Sequence, residues 1–423
     1  MWHGRWARSF VLGYVALSQP RLRKRYERLF HGPESRVMLR KGKGRMGTFR
    51  FLLAIAVAVG HAEGLWGHRL IDGQMAVQCF YMVSGFLISL ILSGKYDAST
   101  ASGLRLFYTN RALRIFVPYW TFLLLIVVTY LATATGGALN NLVSQWPDMS
   151  LAGRSYLLLA NLFVVGQEWT AWLSYDHGSL TWVWDSNGRA PTHLSPFLVI
   201  PQAWTLSLEL MFYALAPFLV RRHWLALVAY IAATYAAREL LMRYGFNGSG
   251  FVYRFFPLEL GLFLGGVLAH RAFAFVDART KVTLAGSIVV TAALLAMLFV
   301  LPYWWFWESH RFYLLVALAL PSLFQVARRF RFDRWLGELS YPIYLCHLAI
   351  LSIGETLAAR WLGIHDHDAV ALAMIIVTVV IAIAYVHWID VPFERWRQRR
   401  ATKGQQERIT GSLSQPQQAL ISA

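Results

Sequence analysis

Charge is scarce in this chain, and negative charge most of all. Only 15% of its 423 residues are charged, with 22 Asp and Glu against 40 Lys and Arg. A soluble chain of this length carries nearer a quarter charged residues, so the composition points away from a water-soluble multidomain protein. Cysteine is nearly absent. Cys79 and Cys346 both lie in apolar stretches, which argues against a disulfide framework. No spacing suits a metal, and both are read as small buried hydrophobes. A cleavable signal peptide is not expected either. The apolar run around Phe10 to Leu17 is short, and a basic stretch from Arg21 to Arg45 follows it without a small-residue cleavage pattern. No internal repeat is evident, which weighs against a transporter built from inverted repeats.

What the chain has is apolar length. Hydrophobic residues make up 57% of it, and the mean hydropathy is +0.43. The reading is an all-α, polytopic transmembrane helical bundle. Ten spans are expected, near 49–66, 73–93, 115–134, 201–220, 223–243, 251–270, 282–301, 311–327, 340–360 and 369–389. The piece from Tyr156 to Val165 is too short to span and is read as a re-entrant or interfacial helix. Eighteen Trp and nineteen Tyr suit interfacial belts. In a soluble protein a net charge of +18 would suggest nucleic acid. Here the basic residues cluster between apolar spans, so the charge is assigned to topology and no nucleic-acid partner is expected. With the N-terminus cytoplasmic, the inner segments hold 32 of the 40 Lys and Arg, which places both termini inside.

Three regions follow. Residues 1–47 form a basic cytoplasmic extension suited to lying on anionic lipid. Residues 48–397 form the membrane domain, and 398–423 a polar, Gln- and Ser-rich tail expected to be disordered. The largest outer segment, Thr135 to Ile200, carries His177 and His193 and either caps a substrate site or is a solvated loop.

Several ionisable groups stand where lipid should be. Arg50 and His61 bracket the run RFLLAIAVAVGH. Eleven residues of helix place His61 about 16 Å from Arg50, near the middle of a core about 30 Å thick. An ionisable group there is a functional-site hypothesis, and neutral imidazole can act as a general base. A helix-packing role is the competing account. Arg111 and Arg114 are three apart, on one helix face at the start of the third span. There the helix N-terminus and two guanidiniums would favour a phosphate, unless the pair only anchors topology. Glu209 sits in an apolar span, with His61, Arg254 or His347 as candidate partners. Arg254, Glu259, Tyr344 and His347 complete a possible polar pathway across four spans. Ser84 and Gly85 are read as permitting close helix approach rather than as a nucleophile site.

These motifs, in this order, resemble the membrane acyltransferase-3 family of bacterial polysaccharide and antibiotic O-acyltransferases. RFLLAIAVAVGH is similar to the family's first-span arginine and histidine, and VQCFYMVSGFLI to its FFxLSGFLI. RALRIFVPYW resembles RxxRIxPxYW, QAWTLSLELMFY resembles WSLxxExxFY, LGELSYPIYLCH resembles LGxxSYxxYLxH, and IDVPFERW the closing E-x-P-F. Together they cover Arg50 to about Arg397. Phe80–Tyr81 departs from the usual Phe–Phe pair, Asp390 stands where Glu is commoner, and no C-terminal hydrolase-like domain is expected.

The resemblance implies transfer of an acyl group, commonly acetyl, from cytoplasmic acyl-CoA to a hydroxyl of a glycan or similar acceptor at the bacterial inner membrane. His61 and Glu209 take the catalytic positions, and Arg111 and Arg114 the CoA-binding ones. Arg50, Arg254, Glu259, Tyr344 and His347 would position substrate. No permanently bound cofactor and no metal is expected; acetyl-CoA or another acyl-CoA is a substrate. Whether His61 only removes a proton or also carries the acyl group stays open. A transporter or flippase of a lipid-linked saccharide, and a non-catalytic scaffold, are the rival readings.

Overall fold

The computed structural model describes residues 46–397, apart from 69, 95, 177–178, 185–192, 247, 249, 278–282 and 300–309. The expected N-terminal extension, the tail and His177 lie outside the described residues. The architecture is all-α with one small hairpin. Helices run α1 (Gly47–His61), α2 (Gly73–Gly94), α3 (Ala101–Thr133), α4 (Ala138–Gln145), α5 (Leu151–Phe163), α6 (Trp204–Leu219) and α7 (Trp224–Arg243). They continue as α8 (Phe256–Asp277), α9 (Leu284–Phe299), α10 (His310–Ala327), α11 (Asp333–Leu357) and α12 (His367–Tyr385).

Each of the ten expected spans coincides with a helix, and among the described residues six helices are long and apolar enough to cross a membrane by themselves. The other four are α1, α6, α9 and α10, of 15, 16, 16 and 18 residues. Two boundaries differ in ways that bear on function. The first span was expected to reach residue 66, but α1 stops at His61. Gly64 N–H closes back onto Val59 O at 3.0 Å, and Glu63, Gly64, Trp66 and Gly67 take positive φ. A left-handed stretch cannot continue a helix. At 1.5 Å per residue α1 is about 22 Å long, so His61 lies in its last turn. The third helix starts early instead. Thr100 caps it, its side chain accepting from Gly103 N–H, so Arg111 sits ten residues inside α3. The arginine pair therefore has no helix N-terminus beside it, because those amides are about 15 Å away.

The expected short helix Tyr156 to Val165 is present as α5. The segment around it is folded rather than a bare solvated loop. It holds α4, short 3-10 turns and an antiparallel hairpin of β1 (Leu173–Asp176) and β2 (Ser179–Trp182).

Small residues set how closely the helices pack. Lipid tails are as apolar as leucine, so association in a membrane relies on close packing and interhelical hydrogen bonds. α2 lies on α8 and α1 on α11. A Cβ on Gly85 would stand 1.9 Å from Phe263 O, one on Gly266 1.9 Å from Met82 O, and one on Gly47 1.8 Å from Asp333 O. These helix pairs therefore touch backbone to backbone, as Ser84–Gly85 suggested for α2. Asp333, buried at the start of α11, accepts from both Thr48 N–H (2.9 Å) and Thr48 Oγ1 (3.1 Å), tying it to α1.

Candidate functional site

A cavity of about 410 Å³ runs along one face of α2, from Val77 through Phe80, Ser84 and Leu87 to Ile91. Those positions recur every three or four residues, so they share a helix face. Fourteen residues of rise make the cavity about 21 Å long. Its volume falls within the range of small-molecule sites. α3, α6 and α11 form the other walls.

One end is basic. Arg50, Arg111, Arg114, Arg334 and Arg397 line it, with Glu338, Asp390 and Glu394 among them. Arg334 is held by Glu338 at 2.8 Å and Arg397 by Glu394 at 2.5 Å. Arg111 makes no salt bridge among the described residues. Its guanidinium lies 5.8 Å over the Tyr213 ring, and its buried Nε lacks a hydrogen bond. Arg114 acts electrostatically on Asp390. Lysine could not reproduce such a planar, multidentate fork.

Glu209 lines the middle of the cavity. Its Oε1 accepts from Ser84 Oγ at 2.8 Å and from Tyr213 OH, one turn along α6. None of the three partners considered from sequence is bonded to it. α6 turns the Glu209–Tyr213 face towards α2 and α3, below the level of Trp204 and Thr205. Tyr213, Arg334, Glu338 and Arg397 were missed by sequence reasoning and Ser84 was read only as a packing residue, because long-range packing alone brings them here.

The other end closes on Tyr81, Thr205 and Tyr344. Tyr344 OH lies 2.9 Å from Thr205 Oγ1 and donates to Gln202 O at 3.2 Å. Behind it the Tyr344 ring is 5.8 Å from His347, whose ring is 5.3 Å from His61. Neither histidine lines the cavity; His347 contacts its Tyr344 wall and His61 contacts His347. His61 is exposed and His347 fully buried.

Arg254 and Glu259 go elsewhere. Arg254 lies 4.7 Å over Trp204 and donates to Ser195 Oγ at 3.2 Å. His193 fixes that loop, with Nε2 2.9 Å from Ala171 O and Nδ1 accepting from Ser195 N–H. Burial, reinforced by the charge of Arg254, holds His193 below its ordinary pKa. The neutral tautomer satisfies both bonds. Glu259 is fully buried and accepts from Arg238 at 2.7 Å and from Gln78 at 3.1 Å, while Tyr313 OH donates to Gln78. Its setting is a satisfied interhelical ion pair rather than a wall of the cavity. Arg238 was missed, although an arginine in the apolar run YIAATYAARELL is the kind of signal used for Arg254.

Comparison with known proteins gives the family. Residues 45–388 match the acyltransferase-3 family, described as an acyltransferase domain. The chain is also similar to nodulation protein 10 of Rhizobium leguminosarum bv. viciae, with 25% identity over 318 residues, 71% of this chain and 77% of that protein. No solved structure matches. A family match that takes in both histidines and the cavity walls up to residue 388, including Arg50, Arg111, Arg114 and Arg334, places the chain in the acyltransferase-3 family, as a membrane acyltransferase.

Proposed function

We propose that the protein is a ten-span O-acyltransferase of the bacterial inner membrane, with both termini cytoplasmic. It takes an acyl group, acetyl most simply, from cytoplasmic acyl-CoA and passes it to a hydroxyl of a glycan or lipid-linked sugar. The observation that carries this is the cavity itself. It is a slot about 21 Å long with a cluster of arginines at one end and hydroxyls and histidines beyond the other. A thioester donor has the same polarity, with phosphates at one end and the reacting carbonyl at the other.

In this reading Arg111 and Arg114 hold CoA phosphates, joined by Arg50 at the cavity mouth. The pantetheine arm runs past Ser84 and Glu209, and the thioester carbonyl arrives at Tyr344 and Thr205. Tyr344 swings from Thr205 to admit it towards His61. His61 takes the proton of the acceptor hydroxyl as the oxygen attacks the carbonyl carbon. The C–S bond breaks, and the CoA thiolate leaves with the proton that His61 received, so no net proton is consumed. Arg254 and Trp204 form part of the acceptor side. Glu209, bonded to Ser84 and Tyr213, shapes the cavity beside the arginines and does not act on His61. Replacing His61 with Ala should abolish transfer from acetyl-CoA by reconstituted protein while leaving CoA binding and thermal stability intact. Full activity in that variant removes His61 from the chemistry, and saccharide flux without acyl-CoA favours a transporter.

A further inference from the structure

The His61 ring receives no hydrogen bond from any side chain among the described residues, yet a general base needs a fixed tautomer to present its lone pair. Two carboxylates could be thought to supply one. Glu209 is occupied by Ser84 and Tyr213. Asp72 acts on His61 electrostatically, but its Oδ1 caps α2, accepting from Gln74 N–H at 2.8 Å. The side chain whose ring lies against His61 is His347, at 5.3 Å between centroids and 34° between planes.

His347 has a defined tautomer. Its Nδ1 lies 2.8 Å from Tyr344 O and 3.2 Å from Ile343 O. A carbonyl oxygen only accepts, so Nδ1 carries the proton and Nε2 the lone pair. That Nε2 is buried and lacks any hydrogen-bond partner. Such an orphaned acceptor is costly unless a donor reaches it. On the reading that His61 is the base, we infer that His347 is its positioning residue: His347 Nε2 accepts the N–H of His61 and so leaves the other His61 nitrogen bare towards the acceptor hydroxyl. When His61 takes the hydroxyl proton, the same hydrogen bond steadies the imidazolium, without a carboxylate in contact. The proton stays on His61 until the thiolate leaves, so His347 itself never changes protonation. The motif pair RFLLAIAVAVGH and LGELSYPIYLCH would then be one device built from α1 and α11, two helices packed glycine against glycine.

The test uses full-length protein in nanodiscs, with histidine labelled with ¹⁵N and His61 assigned by its loss in H61A. In the wild type, His61 should show one neutral tautomer. In His347→Phe it should show a mixture, with transfer down about a hundredfold, the low end of what a positioned base contributes, and KM for acetyl-CoA unchanged. His347→Gln, whose amide oxygen can accept near the Nε2 position, should restore the single tautomer and most of the rate. Mixed tautomers of His61 in the wild type overturn the inference. So does a tautomer unmoved in His347→Phe, or one that shifts in Asp72→Asn instead. Full activity of H61A would sink the base assignment, while the tautomer spectra still report on the pairing.

Discussion

At the residue scale, the groups that matter are those whose surroundings contradict their chemistry. Glu168 is one that sequence reasoning passed over. It lies in a turn of the segment between α5 and α6, 3% exposed, and neither carboxylate oxygen completes a well-formed hydrogen bond. Burial pushes its carboxyl above the ordinary 4.5, against weaker help from the Ser207 hydroxyl and the amides of Gly166 and Glu168. A raised carboxyl binds its proton more tightly in the folded state. Its contribution is therefore full below the unfolded pKa and is lost as pH rises through the folded one. Glu168→Gln does not titrate, so the gain in its Tm over the wild type should grow as pH rises above the ordinary carboxyl range and through the raised folded pKa. A gain independent of pH would show that Glu168 is not a buried acid. His61, by contrast, was legible from sequence because one polar residue ends an apolar run. Its partner was not. Glu209 looked suitable only while the depth of α6 was unknown.

At the scale of elements, glycine sets the spacing on which the cavity depends. α2 presents Gly85 to α8 and, next to it, Ser84 to the cavity. Gly85→Ala places a methyl against the Phe263 carbonyl, which cannot rotate away. The helices must separate, and overpacking of this kind costs about 1–3 kcal/mol. Thermal denaturation in detergent should show a lower Tm, and the shift of α2 should weaken acyl-CoA binding too. An unchanged Tm would mean that the α2–α8 contact is looser than described. Helix existence was readable from apolar runs because a bilayer demands satisfied backbone and apolar faces. Helix ends were not. α1 ends at His61 ahead of positive-φ residues from Glu63 to Gly67, and α3 begins at Ala101 under the Thr100 cap, both set by local turn chemistry that hydropathy does not register. The hairpin between β1 and β2 gave no sequence signal, since its four-residue strands are too short for a period-two pattern.

At the scale of the whole molecule, charge and shape run along one axis. Arginines gather at one end of a slot, and an imidazole pair lies behind Tyr344 at the other. Motif order announced the participants, but their division into four settings came only with packing, with Arg254 set apart on Trp204 and Ser195. The cavity takes Arg50, Arg111, Arg114, Glu209 and Tyr344. The pair behind it takes His61 and His347, and Arg238 with Gln78 draws Glu259 away. The central claim is that the arginine end receives the CoA part of the donor. The most direct measurement is the affinity of CoA for full-length protein in nanodiscs, wild type against Arg111→Gln/Arg114→Gln. A charge-assisted phosphate contact contributes about 1.5–3 kcal/mol, so each arginine lost should weaken Kd about tenfold or more, with the fold intact. Equal affinity in both proteins, or no CoA binding by the wild type, would contradict the account.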